Sequence, residues 1–158
     1  MFVPAVITAT RLNNAPVPRV QSPDTRNGLA GLLDRVDIFV EVPRIDYEKL
    51  ADDRLGEKSE KVQARVTASR KRQQERFKGT KLNSNADMTA ADVREYCRVE
   101  DSAQSLLKAA MKQLNLSARA FHRILKLART IADHEDADII KAPHLAEAIQ
   151  YRPRSLMI

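Results

Sequence analysis

The sequence predicts a mainly α protein: a small helical bundle preceded by one or two β-strands. Three observations carry this. From Asp46 onward apolar residues recur at helical spacing in successive segments, each opened by a residue suited to capping. Before them, one short run alternates with the period of a strand. The composition agrees: of 158 residues 43% are apolar, but only 4% are aromatic, with no Trp and four Gly. That is one ordinary domain, or a small domain with a tail.

Residues 1–30 hold four of the seven prolines and show no helical period. Pro16 and Pro18 hold their predecessors extended, so an extended or partly ordered arm is expected, with 3–10 able to add a strand. In VDIFVEVP, residues Val36, Ile38, Val40 and Val42 share one face, and Pro43 ends the run. A lone strand is unstable, so it needs the arm or a sheet from elsewhere.

Asp46 suits the cap of a short helix through Leu50. Ser59 suits the cap of a long helix reaching about Phe77, with Gly79 as the stop. KLNSNADM reads as a polar loop, and Thr89 with Asp92 as a capping box opening a helix with Val93, Tyr96 and Cys97. Asp101 or Ser102 opens the next, which presents Leu106, Leu107, Ala110, Met111 and Leu114. Ser117 caps a strongly amphipathic helix with Phe121, Ile124, Leu125, Ala128, Ile131 and Ala132 inside. Pro143 fits the first turn of a last helix through Tyr151, burying Leu145, Ala146 and Ile149, and Pro153 ends it.

Composition also narrows function. No run approaches the roughly 18 apolar residues of a membrane span, and the first residues lack the basic region of a secretory signal. The single cysteine, Cys97, excludes an internal disulfide and falls on an apolar face. A reduced, cytoplasmic setting is therefore expected. HEDAD at 134–138 is not a zinc-binding H-E-x-x-H, and His122 and His144 lack acidic partners at ligand spacing, so no metal site is expected. No G-x-x-x-x-G-K-[ST] phosphate loop is present.

The formal charge of +6 is concentrated. Residues 58–78 hold eight basic and two acidic residues, which accounts for the whole excess. Within this helix Lys58, Lys61, Arg65, Arg72 and Arg76 share one face, beside an apolar stripe of Val62, Val66 and Phe77. Such a cation stripe suits DNA phosphates, although a solvated face of a packed helix has the same pattern. With no aromatic among the cations, base stacking there is not indicated.

Two further arginines stand out. Arg35 follows Asp34 and precedes Asp37, a pattern common in surface pairs. Arg119 lies just after the cap Ser117, in a first turn whose amides favour an anion; it reads either as a phosphate contact or as an exposed or helix-paired arginine.

LLDRVDIFVEVP, SEKVQARVTASRKRQQERF, LNLSARAFHRILKLARTIAD and HLAEAIQYR, in that order, resemble the C-terminal part of magnesium-chelatase-like AAA+ ATPases, and above all the competence-associated bacterial group (ComM/YifB). The resemblance covers about residues 32–154; residues 1–30 do not visibly match. It implies that 31–44 form the last strand of an AAA+ core, that 45–154 form its helical lid, and that 155–158 are a tail. It implies an arginine finger for Arg35, reaching the ATP of a neighbouring subunit, and a sensor role for Arg119. ATP and Mg2+ would be bound by the intact parent, in a homo-oligomeric ring with the rest of the core, acting on DNA. The phosphate loop and Mg-binding acid of that family lie upstream, so this chain by itself is expected to be inactive. Other readings are the motor subunit of a metal chelatase, a helical nucleic-acid-binding module without a nucleotide role, and a protein-interaction bundle.

Overall fold

A computed structural model describes residues 36–40, 42–44 and 56–152. The arm at 1–30, its strand at 3–10, Arg35, the short helix at 46–50 and the tail lie outside the described residues. The chain divides into two compact units, Leu55–Gln150 and Met1–Arg54 with Tyr151–Ile158.

In the smaller unit the alternating segment forms no strand ladder among the described residues. Its Phe39 N–H donates to the Tyr151 carbonyl at 2.9 Å, and Arg152 Nη1 donates to the Val36 carbonyl at 3.4 Å. Alternation creates a face, but a strand also requires a partner along its edge.

The larger unit is helical. Helix α1 spans Ser59–Arg76. Lys58, extended at ψ 139, is its N-cap and makes no side-chain capping bond, so Ser59 is the first helical residue and not the cap. Phe77 ends it, and Gly79 follows at φ +82, a conformation that favours glycine. A single 3-10 turn, Asn85–Asp87, interrupts the expected polar loop. Helix α2, Ala90–Tyr96, opens with the expected capping box: the Thr89 hydroxyl accepts from the Asp92 N–H at 3.4 Å, and the Asp92 carboxylate accepts from the Thr89 N–H at 2.7 Å.

Helix α3 spans Asp101–Gln113 with Glu100 as N-cap. Helix α4, Ala118–His134, is capped by Ser117, whose hydroxyl accepts from the Ala120 N–H at 3.1 Å. Helix α5 spans Ala142–Gln150. Helices α3 and α4 end alike. Asn115 and Asp136 take φ values of 45 and 58, and the next N–H reaches back into the last turn. Leu116 bonds to the Met111 carbonyl at 3.3 Å, and Ala137 to that of Ala132 at 2.9 Å. These are Schellman ends in which Asn and Asp, the non-glycine residues that tolerate this conformation best, replace glycine.

The core gathers around α4, the most amphipathic helix. Its Ile124, Leu125, Ala128 and Ala132 meet Val93 and Cys97 of the α2 end, Ala103 and Leu107 of α3, and Leu145 and Ala148 of α5. Phe77 and Met88 close the side toward α1. On α5 the buried positions are His144, Leu145 and Ala148, while the expected Ala146 and Ile149 are only half-buried. A parallel bridge between Val99 and Ile140 fixes the start of α3 to the start of α5: Ile140 donates to Arg98 at 2.9 Å, and Glu100 donates to Ile140 at 3.0 Å. Among the described residues no helix is long and apolar enough to cross a membrane.

Candidate functional site

The cationic face of α1 is not a uniform stripe. Lys58 and Lys61 are exposed. Arg65 is also exposed, but its guanidinium forks onto Glu57, Nη1 to Oε1 at 2.5 Å and Nη2 to Oε2 at 2.8 Å. That hydrogen bonding holds the Glu57 carboxyl below its ordinary range. Arg72 turns to the loop after α4, with Nε 2.7 Å from Asp136 and Nη2 3.6 Å from Asp138. The neighbouring apolar stripe also divides: Phe77 is in the core, whereas Val62 and Val66 are 40% and 44% exposed.

Arg76 points inward. It forms a two-pronged pair with Asp133 of α4, Nη1 to Oδ2 at 2.9 Å and Nη2 to Oδ1, and Nη1 also donates to Asn85 Oδ1 at 3.0 Å. The Asp133 side chain is fully buried and accepts further from Asn85 Nδ2 at 2.8 Å and Arg129 Nε at 3.2 Å. Burial pushes the Asp133 carboxyl up, but the hydrogen bonds from Arg76 and Asn85, with the charges of Arg129 and Arg76, outweigh it and hold the group below its ordinary range. Arg129, only 1% exposed, spends its other donors on the carbonyls of Asp138, at 2.6 Å, and Ala137. Asn85 is saturated as well, since its N–H donates to Gln73 Oε1 at 3.2 Å and Nδ2 also reaches Thr130 at 3.1 Å. This network joins α1, the 3-10 turn, α4 and the loop beyond it.

Sequence reasoning missed Asn85, Arg129 and Asp133. One signal was present: Arg129 and Asp133 are four residues apart on the apolar face of α4, where charges persist only if paired. His144 likewise has an acidic partner. Its Nδ1 accepts from the Lys141 N–H at 3.1 Å, which leaves Nε2 as the donor to Glu135 at 2.9 Å. Among the described residues, no cluster of three or more His, Cys, Asp or Glu could hold a metal ion. Cys97 is buried, and desolvation pushes its thiol up to about 11, which suits packing and not nucleophilic chemistry.

Arg119 occupies an exposed position in the first turn of α4, two residues after the cap. The family model described as magnesium chelatase, subunit ChlI C-terminal, matches residues 56–152, nearly the whole helical unit. The chain belongs to this family. It is 41% identical over 128 residues to the uncharacterized protein YifB of Escherichia coli, and 41% identical over 129 residues to the competence protein ComM of Haemophilus influenzae. Each alignment covers 80% of this chain but 24% of the relative, so the chain spans about a quarter of their length. Within the magnesium chelatase C-terminal domain described here, the Arg76–Asp133 network is internal scaffolding, and Arg119 sits on the outer surface of the helix it supports.

Proposed function

We propose that this chain works as the helical lid of a magnesium-chelatase-like AAA+ ATPase, residues 31–44 ending the core and 45–154 forming the lid. The observation that carries the reading is Arg119 in an exposed first turn of α4, within a domain of the matching family. There the helix dipole and a guanidinium act together on an anion. Ser117 accepts from the Ala120 N–H at the start of α4, helix N-termini favour anions, and Arg119 is assigned as the sensor of ATP on the lid's own core. Arg35 is assigned as the finger offered to a neighbouring subunit. Bound ATP with Mg2+ supplies the reactive phosphoryl group. The chain contributes charge that stabilises it and a lid that moves with it, in a cytoplasmic homo-oligomeric ring. The competence protein among the relatives favours DNA as the remodelled substrate over metal insertion. On this reading Lys58, Lys61, Arg65 and Arg72 form the DNA-facing surface.

The test uses a protein that joins this domain to its phosphate-loop core. Arg35→Ala should lower turnover roughly a thousandfold with little loss of ATP affinity. Mixing it with a phosphate-loop variant should restore part of the rate, because each supplies what the other lacks. Arg119→Ala should weaken the response to bound ATP. Wild-type hydrolysis by both arginine variants would overturn the assignment.

A further inference from the structure

A groove of about 1110 Å³ lies between α2, α3 and α4. It is large for a small-molecule cleft, which typically measures about 300–1,000 Å³. Its inner surface is apolar, formed by Val93, Leu107 and Leu125, with half-buried Met111 and Phe121 beside them. Its rim is cationic: Arg94, Arg98 and Lys108 are exposed around it, against one acid among the described residues, Asp101.

These rim cations differ from the arginines that are tied to carboxylates within the helical unit, and resemble Lys58 and Lys61 in lacking such a partner among the described residues. Arg65, Arg72, Arg76 and Arg129 all meet carboxylates of this chain, whereas among the described residues no carboxylate pairs with Arg94, Arg98 or Lys108. His122, whose buried Nδ1 has no hydrogen-bond partner among the described residues, lines the same groove. Thus an apolar trough, a positive rim and an unmatched polar atom converge.

We propose that this groove docks an acidic amphipathic segment of another polypeptide. Its apolar side chains would lie on the trough, and its carboxylates on Arg94, Arg98 and Lys108. Charge complementarity sets the sign of the partner, and the trough sets its class. A nucleic-acid backbone would use the cations and leave the aliphatic surface unfilled, and Phe121, half-buried beside the trough, makes a poor stacking platform. The inference is independent of the ATP assignment, since Arg119 is not among the residues that line the groove.

The experiment uses the full 158-residue chain, 15N-labelled. The probe is a synthetic helical peptide with Leu, Phe and Leu one helical turn apart, flanked by Glu. Resonances of Arg94, Arg98, Lys108 and His122 should shift on titration. Affinity should drop at least about tenfold when Lys replaces the peptide's Glu, or when Arg94, Arg98 and Lys108 are all changed to Glu, with circular dichroism unchanged. Replacing the peptide's Leu and Phe by Ser should abolish binding. Equal binding of acidic and basic peptides, shifts confined to another surface, or tighter occupation of the groove by a DNA duplex would each overturn the proposal.

Discussion

Arg76 and Asp133 are 57 residues apart in the chain, yet they meet as a two-pronged ion pair inside the helical unit. The pair binds the last turn of α1 to the last turn of α4. Much of α1 is exposed, and Ser69 and Gln73 are the buried residues within it, so apolar burial alone holds this helix poorly. A charged clamp inside the fold supplies what the weakly apolar face does not. It functions because Asn85 and Arg129 satisfy the remaining oxygen valences of Asp133.

Removing one partner should therefore be costly. Asp133→Ala leaves the buried Arg129 charge without its carboxylate and should lower stability by about 3–5 kcal/mol, whereas Arg76→Ala leaves Asp133 still paired with Arg129 and should cost less. Asn85→Ala, which strips neutral bonds from the same carboxylate, should cost about 1–3 kcal/mol. Arg65→Gln breaks only an exposed pair and should leave the melting curve in place. Urea denaturation of the four variants checks the order. Indistinguishable midpoints would show that the clamp is not structural.

Acid should undo the same clamp. The folded carboxyl of Asp133 lies below its ordinary value of 3.8, so its contribution is complete above that pH and is lost as pH falls through the lower folded value. Wild-type stability should decline as the pH falls from that ordinary value through the lower folded one. Asp133→Asn should be less stable at neutral pH but show a flatter decline. Parallel pH profiles for the two proteins would remove Asp133 as the source.

The helices were legible in the sequence because their signals are local. Thr89 with Asp92 and Ser117 made the caps expected of them, and the apolar period placed Ile124, Leu125 and Ala128 in the core. Long-range polar chemistry was not legible. Periodicity put Arg65, Arg72 and Arg76 on one face but could not show that Asp133, Asp136 and Asp138 would fold back to meet two of them. A loop of polar residues likewise did not reveal that Asn85 would be buried at 2% exposure. Arg119 was placed correctly at its helix start, whereas the sensor role proposed for it came from the family resemblance and not from any local pattern.

Cys97 should be chemically silent in the folded protein. Its thiol titrates near 11, so at pH 8 almost none is thiolate, and the sulfur is buried. Ellman's reagent should react slowly under native conditions and promptly in denaturant. Stoichiometric reaction within seconds in the native state would contradict the packing seen at the end of α2.

The DNA assignment for α1 can be separated from its structural work because the cations differ in their surroundings. Arg76 must be left in place, since its removal would change stability and DNA contact together. Changing Lys58, Lys61, Arg65 and Arg72 to Gln keeps good helix formers and removes four cations outside the buried clamp. Duplex affinity should then fall by a similar factor on unrelated sequences, because phosphate contacts carry no base information. The slope of log affinity against log salt should shrink by up to about 0.9 for each phosphate no longer neutralised. Lys58 and Lys61, which have no carboxylate partner among the described residues, should account for more of the change than Arg65 and Arg72, which must first give up Glu57 and Asp136. Fluorescence anisotropy over a salt series, with melting temperature as the control, measures both quantities. An unchanged slope in a fully folded quadruple variant would mean that this face serves the fold and not DNA.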